Sequence, residues 1–511
     1  MLEQYLASFQ LVAHLHIILS IALGVLAGLF IGAVPGLTAT MAIALLVPVT
    51  FTMEPAHGLA LLMGVYCGGI SGGLVSACLL NIPGTPSSVA TCLDAFPMSQ
   101  RGHAARALGL GVYSSFLGGS FSGLALIIIA PALARFALKF GPWEYFALVV
   151  FTFSCISSLS SGSAIKAFLG AGLGFSVALI GTDPADGLVR YTYGLNSLVS
   201  GFSVLPVLIG VFAIPQLLSE VDEIGKEAKV VSVDFRLREF VAAAGDILRS
   251  KVTFLRSSLI GLVIGILPGV GPGLSNIVAY AQAKNFSRTP EKFGQGVLPE
   301  AIIAPETANN ASMGGALIPL LTLGIPGDVC TMLMLGTFML HNIQPGPLLF
   351  RENGDLVYAL FIAYFIAFGF MILFFHLFIR IIIRVLVVPR EYLIPVLLVL
   401  CAVGTYTLNS RMFDVYCFLA FGILGYILRH IDVPVLPVIL GMVLGPMAEL
   451  QLRQAVVMGN GDFTLFFTRP ISLVLLIASV LSLSLPYAMA AYRKRQKRNG
   501  GDMPYDISCE G

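Results

Sequence analysis

The sequence predicts an all-α integral membrane protein of about 12 transmembrane helices. They are expected as two internal repeats whose helices are broken by Pro-Gly pairs into re-entrant or discontinuous segments. Three observations carry this prediction. Of 511 residues, 57% are hydrophobic and only 11% charged, against about 25% charged in soluble domains. Apolar runs such as 11–34, 114–132, 355–379 and 470–490 recur along the chain, and about 20 such residues cross a bilayer. The third is self-similarity. "GLFIGAVPG" at 28–36 returns as "GLVIGILPG" at 261–269, an offset of 233 (261 − 28). "SGGLVSACLLNIPG" at 71–84 returns as "SMGGALIPLLTLGIPG" at 312–327, with Pro83 and Pro326 243 apart (326 − 83).

From the N-terminus, no Lys or Arg precedes Arg101, so the basic leader of a cleaved signal peptide is missing and the first apolar run is expected to be retained. The first half, 1–219, carries Pro-Gly at 35–36 and 83–84. After "NIPGTP" a helix is expected from about Ser87, with Ser87, Thr91 and Asp94 at i, i+4 and i+7 on one face. Asp94 reads equally as an ion ligand and as a structural cap near Arg101. Residues 220–256 form a charged linker in which Val233, Phe235, Leu237, Phe240 and Val241 have helix-like spacing; an amphipathic surface helix is expected, a solvated loop being the alternative.

The second half, 257–492, repeats the breaks at Pro268-Gly269 and Pro326-Gly327. "PETANNASMGG" sets Glu306, Asn309 and Asn310 at i, i+3 and i+4, one helix face. An ionised residue at the membrane centre costs at least about 2.5–3.5 kcal/mol, so Glu306 at that depth needs a partner or a task. Asp328, straight after the second break, suits a helix N-cap. Residues 493–511 form a basic tail opening with "RKRQKR", which the positive-inside tendency puts in the cytoplasm. The eight Cys form no CxxC pair and read as small packing residues rather than a disulfide or structural metal framework.

Broken backbone in an apolar chain has a physical implication. An unsatisfied N–H or C=O facing lipid costs several kcal/mol, so irregular segments survive only where they are buried in protein or line a cavity. Secondary transporters use paired breaks in this way, with half-helix N-termini facing anionic groups and unwound carbonyls holding cations. The substrate residues expected on this basis are Gly36, Gly84, Thr85, Ser87, Ser88, Thr91, Gly269 and Gly327. The ion-coupling residues are Asn81, Asp94, Glu306, Asn309 and Asn310, with Na+ or H+ as the coupling ion and no other cofactor.

Two other classes are weighed. An anion channel would use the same breaks as a filter but show uncoupled flux. "GISG" at 69–72 with His376, and "GNGD" at 459–462, match short intramembrane protease patterns, each four residues long and Gly-rich. There is no GxxxxGK[ST] for nucleotide hydrolysis. A net charge of +2 without a basic stripe argues against nucleic acid.

The stretches "GLFIGAVPGLTATMAIALLVPVTF", "GGLVSACLLNIPGTPSSVATCLDAFPMSQRGHAARALG", "GILPGVGPGLSNIVAYAQAK", "PETANNASMGGALIPLLTLGIPGD", "QPGPLLF" and "FFTRPIS" occur in this order. On them the chain resembles the large membrane subunit of the tripartite tricarboxylate transporters, the TctA type. The resemblance implies a secondary transporter of the bacterial inner membrane, not an enzyme, working with a small four-helix membrane subunit and a periplasmic solute-binding protein. It implies uptake of carboxylates such as citrate on an ion gradient, without ATP. The family's motifs fall on Pro35 and Gly36, Asn81 to Ser88, Pro268 and Gly269, Glu306 to Asn310, and Gly324 to Gly327.

Overall fold

The computed structural model describes residues 8–159, 164–183, 185–221, 236–386, 388 and 390–498. The helices of ten or more residues run in order as α1 Leu15–Ala33, α2 Ala39–Thr50, α3 Pro55–Leu80, α4 Val89–Met98, α5 Ala104–Ala137, α6 Pro142–Leu159 and α7 Ala164–Ala178. After a two-stranded antiparallel ribbon, Gly181–Thr182 on Val189–Arg190, come α8 Val204–Val221, α9 Leu237–Arg249, α10 Lys251–Ile266, α11 Gly271–Phe286, α12 Glu300–Leu323 and α13 Val329–Leu340. The chain ends with α14 Gly354–Val385, α15 Arg390–Asn409, α16 Met412–His430, α17 Val435–Met458 and α18 Pro470–Arg498.

Among the described residues, eight helices are long and apolar enough to cross a membrane, which makes this a multi-pass membrane protein. Four shorter apolar helices accompany them among the described residues, and the breaks divide several of the apolar runs seen in the sequence. α2 and α13 have 12 residues each, about 18 Å of helix, too short for a bilayer of about 30 Å. Each break has a chemical stop and restart. Asn81 ends α3 in the left-handed region at φ 57°, and Gly324 ends α12 at φ 72°, the conformation Gly and Asn adopt at lowest cost. Thr38 caps α2 by accepting from the Met41 N–H at 3.2 Å, and Asp328 caps α13 through Thr331.

The chain divides into two compact units: residues 1–139, 180–182 and 188–436, and residues 140–179, 183–187 and 437–511. In the first, α3 and α12 are the innermost helices; the apolar core of α3 is wholly buried, as are Ala301 to Thr322 of α12. Close backbone approach makes this burial possible. A Cβ on Gly28 of α1 would lie 2.5 Å from the Val65 carbonyl oxygen and 2.7 Å from the Gly69 nitrogen of α3. α10 packs on α12 in the same manner, with Gly261 and Gly265 against the Ala308 and Ser312 carbonyls. Small residues let helices meet at such distances, where dispersion replaces the hydrophobic drive that lipid does not supply. In the second unit, α7 meets α17 through Gly441 on the Ala171 carbonyl, and Arg469 pairs with Glu144 at 2.6 Å while lying over the Trp143 ring at 4.6 Å.

A helix, α9, occupies part of the charged linker. Phe240, Ala243 and Ile247 are buried, while Val241 and Leu248 stay exposed and Arg106 clamps Asp246 at 2.7 Å. Val233 and Phe235 lie outside the described residues. α18 continues through Arg498, so the first six residues of the expected tail extend a helix, and 499–511 lie outside the described residues. Seven Cys are free and buried; Cys509 is not among the described residues.

Asp94 serves as a latch. Its carboxylate, with no exposure, accepts from the Tyr280 hydroxyl at 2.8 Å and from the Gly294 and Gly296 N–H groups at 2.8 Å each. It thereby pins α4 to the segment that follows α11. Asp94→Ala is expected to lower the apparent melting temperature in detergent, by about 3–5 kcal/mol of stability if all three donors stay unpaired. Gly28→Ala is expected to cost about 1–3 kcal/mol through overpacking. Gly172→Ala, with nothing within 4 Å of the new carbon, serves as the neutral control, and heat-challenge size-exclusion chromatography reads all three.

Candidate functional site

All four breaks of the chain lead into one short stretch each of a single cavity of about 190 Å³. Its wall comprises Thr38–Thr40 at the start of α2, Thr85–Ser87 before α4, Gly269–Gly273 leading into α11, and Asp328–Cys330 at the start of α13, with Ile70 and Leu436 as apolar cover. A helix start has unpaired N–H groups and a partial positive charge. Three of these starts bring partial positive charge that favours a small anion, the fourth carries the Asp328 carboxylate that opposes one, and most of the remaining wall is apolar.

The turn at 85–88 is built by local chemistry. Pro86 fixes the first residue of a single 3₁₀ turn, and Thr85 and Ser88 form a reciprocal capping box. The Thr85 hydroxyl lies 2.6 Å from that of Ser87, and both side chains are almost completely buried. Thr85, Ser87 and Gly269 thus line the cavity as the sequence suggests. Ser88 turns back on the Thr85 carbonyl at 3.0 Å and is not on the wall.

The remaining expected substrate residues are elsewhere. Gly84 and Gly327 are packing positions, where a Cβ would lie 2.6 Å from the Gly32 carbonyl oxygen and 2.7 Å from that of Gly265. Gly36 sits at φ 84°, accepts a hydrogen bond from Gln216 and faces the Glu220 carboxylate of α8. Thr91 belongs to a different group of residues.

That group surrounds Glu306, which has no exposure. Its carboxylate accepts from Thr91 Oγ1 at 2.6 Å, Ser115 Oγ at 3.2 Å and Asn309 Nδ2 at 3.4 Å. Asn310 donates to the Glu306 carbonyl at 3.2 Å and to Asn309 Oδ1 at 2.5 Å, and itself accepts from Ser71 at 3.0 Å. Asn276 of α11 donates to Thr91 at 3.1 Å and accepts from the Ala90 N–H at 2.8 Å. Among the described residues no Lys or Arg shares these bonds. Asn309 also donates to the Ser87 carbonyl at 2.8 Å, so one side chain touches both the Glu306 cluster and the cavity wall.

Asn81 is exposed at the end of α3 and Asp94 is held by its latch, so neither contacts Glu306. Conversely, sequence reasoning passed over Thr38, Thr40, Tyr66, Ser115 and Asn276, and singled out Ser71 only in a protease pattern. Thr38 and Thr40 follow a Pro-Gly pair as Thr85 and Ser87 do, so the same first-turn rule identifies them. Asn276 stands out as an amide in the apolar stretch after the third break. Among the described residues no group of three or more His, Cys, Asp or Glu is placed to hold a metal ion.

The residues of the protease patterns have other partners. Ser71 is engaged by Asn310, and His376 by the Tyr113 hydroxyl at 2.9 Å and the Ile372 carbonyl at 2.7 Å. Asp462 is an exposed turn residue, where the Thr464 hydroxyl and then its N–H hold the carboxyl below its usual range.

The model of the tripartite tricarboxylate transporter TctA family matches residues 18–440. A protein of Agrobacterium vitis described as an uncharacterized 52.8 kDa protein in the TAR-I ttuC' 3' region is 35% identical over 475 residues, 93% of this chain and 94% of its own length. A second from the same organism, described as an uncharacterized protein in the TAR-II ttuC' 3' region, is 36% identical over 225 residues, 44% of this chain and 90% of its own. No solved structure matches the chain. The family match spans the four breaks, the cavity wall and the Glu306 cluster, and the chain belongs to the tripartite tricarboxylate transporter TctA family.

Proposed function

We propose that the chain is the large permease subunit of a secondary transporter that takes up carboxylates, citrate-like tricarboxylates among them, on a Na+ or proton gradient. The cavity is its substrate site and the Glu306 cluster its ion or proton site. In this reading 1–219 and 257–492 are two repeats joined by the 220–256 linker, and they enclose the site between their paired breaks. A small four-helix membrane subunit and a periplasmic solute-binding protein complete the transporter in the bacterial inner membrane, with the C-terminal tail in the cytoplasm.

One observation carries the reading: Asn309 bonds to both Glu306 and the Ser87 carbonyl. Coupled transport needs the ion site and the substrate site to influence one another, a coupling free energy between sites. A shared side chain supplies the physical contact. Substrate carboxylates meet the hydroxyls of Thr85 and Ser87 and the helix starts beside Thr38 and Gly269. A buried carboxylate with hydroxyl and amide neighbours and, among the described residues, no Lys or Arg partner suits a proton or a bare alkali cation.

Uptake of labelled citrate and small dicarboxylates into proteoliposomes holding the chain, its small partner and the binding protein tests this directly. The expected result is accumulation that collapses with the Na+ or proton gradient; flux that only equilibrates would support a channel. Glu306→Gln is expected to lower gradient-driven accumulation by about tenfold or more while leaving the purified protein monodisperse. If Asn310→Ala and Ser87→Ala both transport at the unmodified rate in correctly inserted protein, the site assignment fails.

A further inference from the structure

The cavity wall is chemically lopsided. Its four hydroxyls, Thr38, Thr40, Thr85 and Ser87, all come from the first half. Aligning the halves on their Pro-Gly pairs sets Thr38 and Thr40 against Gly271 and Gly273, and Thr85 and Ser87 against Asp328 and Cys330. The second half therefore presents glycine backbone, a thiol and one carboxylate where the first presents alcohols.

Capping does not account for that carboxylate. Thr85 and Asp328 each anchor a capping box, with Ser88 and Thr331 respectively, and Thr, Ser, Asp and Asn all serve at such positions. A carboxylate also carries two liabilities here: it is 3% exposed, and its charge opposes an anion in the adjoining cavity. It is nevertheless held firmly. Oδ2 accepts from the Tyr66 hydroxyl at 2.5 Å, and Oδ1 from the Thr331 N–H at 2.8 Å and hydroxyl at 2.7 Å. A carboxylate fixed by donors retains lone pairs for further donors and, ionised, offers no proton of its own.

We infer that Asp328 is the specificity-determining residue of the cavity, and that the ligand is a carboxylate carrying a hydrogen-bond donor, a hydroxyl or an ammonium, on the side that faces Asp328. This rests on the cavity being the substrate site. The first-half hydroxyls take the ligand's carboxylate, and Asp328 accepts from its donor. An analogue lacking that donor leaves the acceptor unpaired and brings hydrocarbon or a second charge against it. Sites built to bond a substrate's polar group reject the analogue without it far more strongly than apolar pockets reject a missing methylene.

The test is ligand-induced thermal stabilisation of the purified full-length chain, titrated to a Kd. The probes are two pairs differing by one hydroxyl, citrate with tricarballylate and malate with succinate, plus aspartate for the ammonium. The unmodified chain is expected to bind at least one donor-bearing probe about tenfold or more tighter than its donor-free counterpart. Citrate or malate in that place names the hydroxyl, and aspartate the ammonium. Asp328→Thr, which copies the first half, and Asp328→Ser both keep a capping residue and are expected to shrink the preference to about threefold or less. Equal binding within both pairs and of aspartate and succinate, or a preference that survives in both variants, overturns the role of Asp328 and leaves the cavity assignment standing. Stabilisation by none of the five overturns the cavity assignment and this inference with it.

Discussion

Backbone polar groups cannot face lipid unpaired, and the interior of this protein follows from that constraint. Four Pro-Gly breaks expose N–H and C=O groups in the middle of apolar runs, so those groups must be enclosed by protein. The enclosure is supplied by α3 and α12, the most buried helices, and their burial depends on glycine. Gly24, Gly28 and Gly32 bring α1 onto α3, and Gly261 and Gly265 bring α10 onto α12, backbone against backbone. Within the second half the breaks also satisfy one another: the Gly269 N–H donates to the Gly327 carbonyl at 2.8 Å.

Inside that enclosure the polar side chains divide into two sets with different demands. The cavity wall offers helix starts and hydroxyls, which suit a ligand arriving with its own charge. Glu306 brings a carboxylate of its own, and Thr91, Ser115 and Asn309 come from three different helices to meet it. Any displacement of α4 or α5 against α12 would therefore change how that carboxylate is solvated. On the proposed reading this is how one site senses the other, since a ligand shifts a conformational equilibrium only as far as it binds the two states differently. Asn309 is the residue through which the two sets touch.

What the sequence made legible is what depends on local spacing. The breaks near Pro83-Gly84 and Pro326-Gly327, the capping role of Asp328 and the shared face of Glu306, Asn309 and Asn310 follow from turn chemistry, first-turn chemistry and 3.6-residue periodicity, whereas the residues that end the helices, Asn81 and Gly324, are seen only in the structure. The spacing around Phe240 pointed to a helix, but of its expected apolar face only Phe240 is buried among the described residues, Leu237 and Val241 being exposed, while Ala243 and Ile247 complete the packed side of α9. What stayed illegible depends on partners far along the chain. The donors of Asp94 lie 186 to 202 residues away, so its two readings could not be separated by spacing. Gly36 and Gly269 occupy the same motif, yet α8 brings Gln216 and Glu220 onto the first while the second lines the cavity. No local rule distinguishes them.

The helix expected from Ser87 begins only at Val89, so the polar stripe is made by Ser87 in the preceding turn and by Thr91 and Asp94 on α4, and it serves three ends. All three are buried, and each meets the second half at a different level: Ser87 through its carbonyl on Asn309, Thr91 on Glu306 and Asn276, Asp94 on Tyr280 and the Gly294–Gly296 turn. A polar stripe on an apolar helix would be costly against lipid and needs a polar surface opposite. The second half supplies it, so the seam between the halves is hydrogen-bonded from the cavity at one end to the latch at the other. Close packing of glycine fixes where the helices lie, and this seam fixes their register. On the proposed reading of two repeats, the pattern of breaks keeps its scaffold while individual positions, Thr85 against Asp328 above all, differ in chemistry and both still cap their turns.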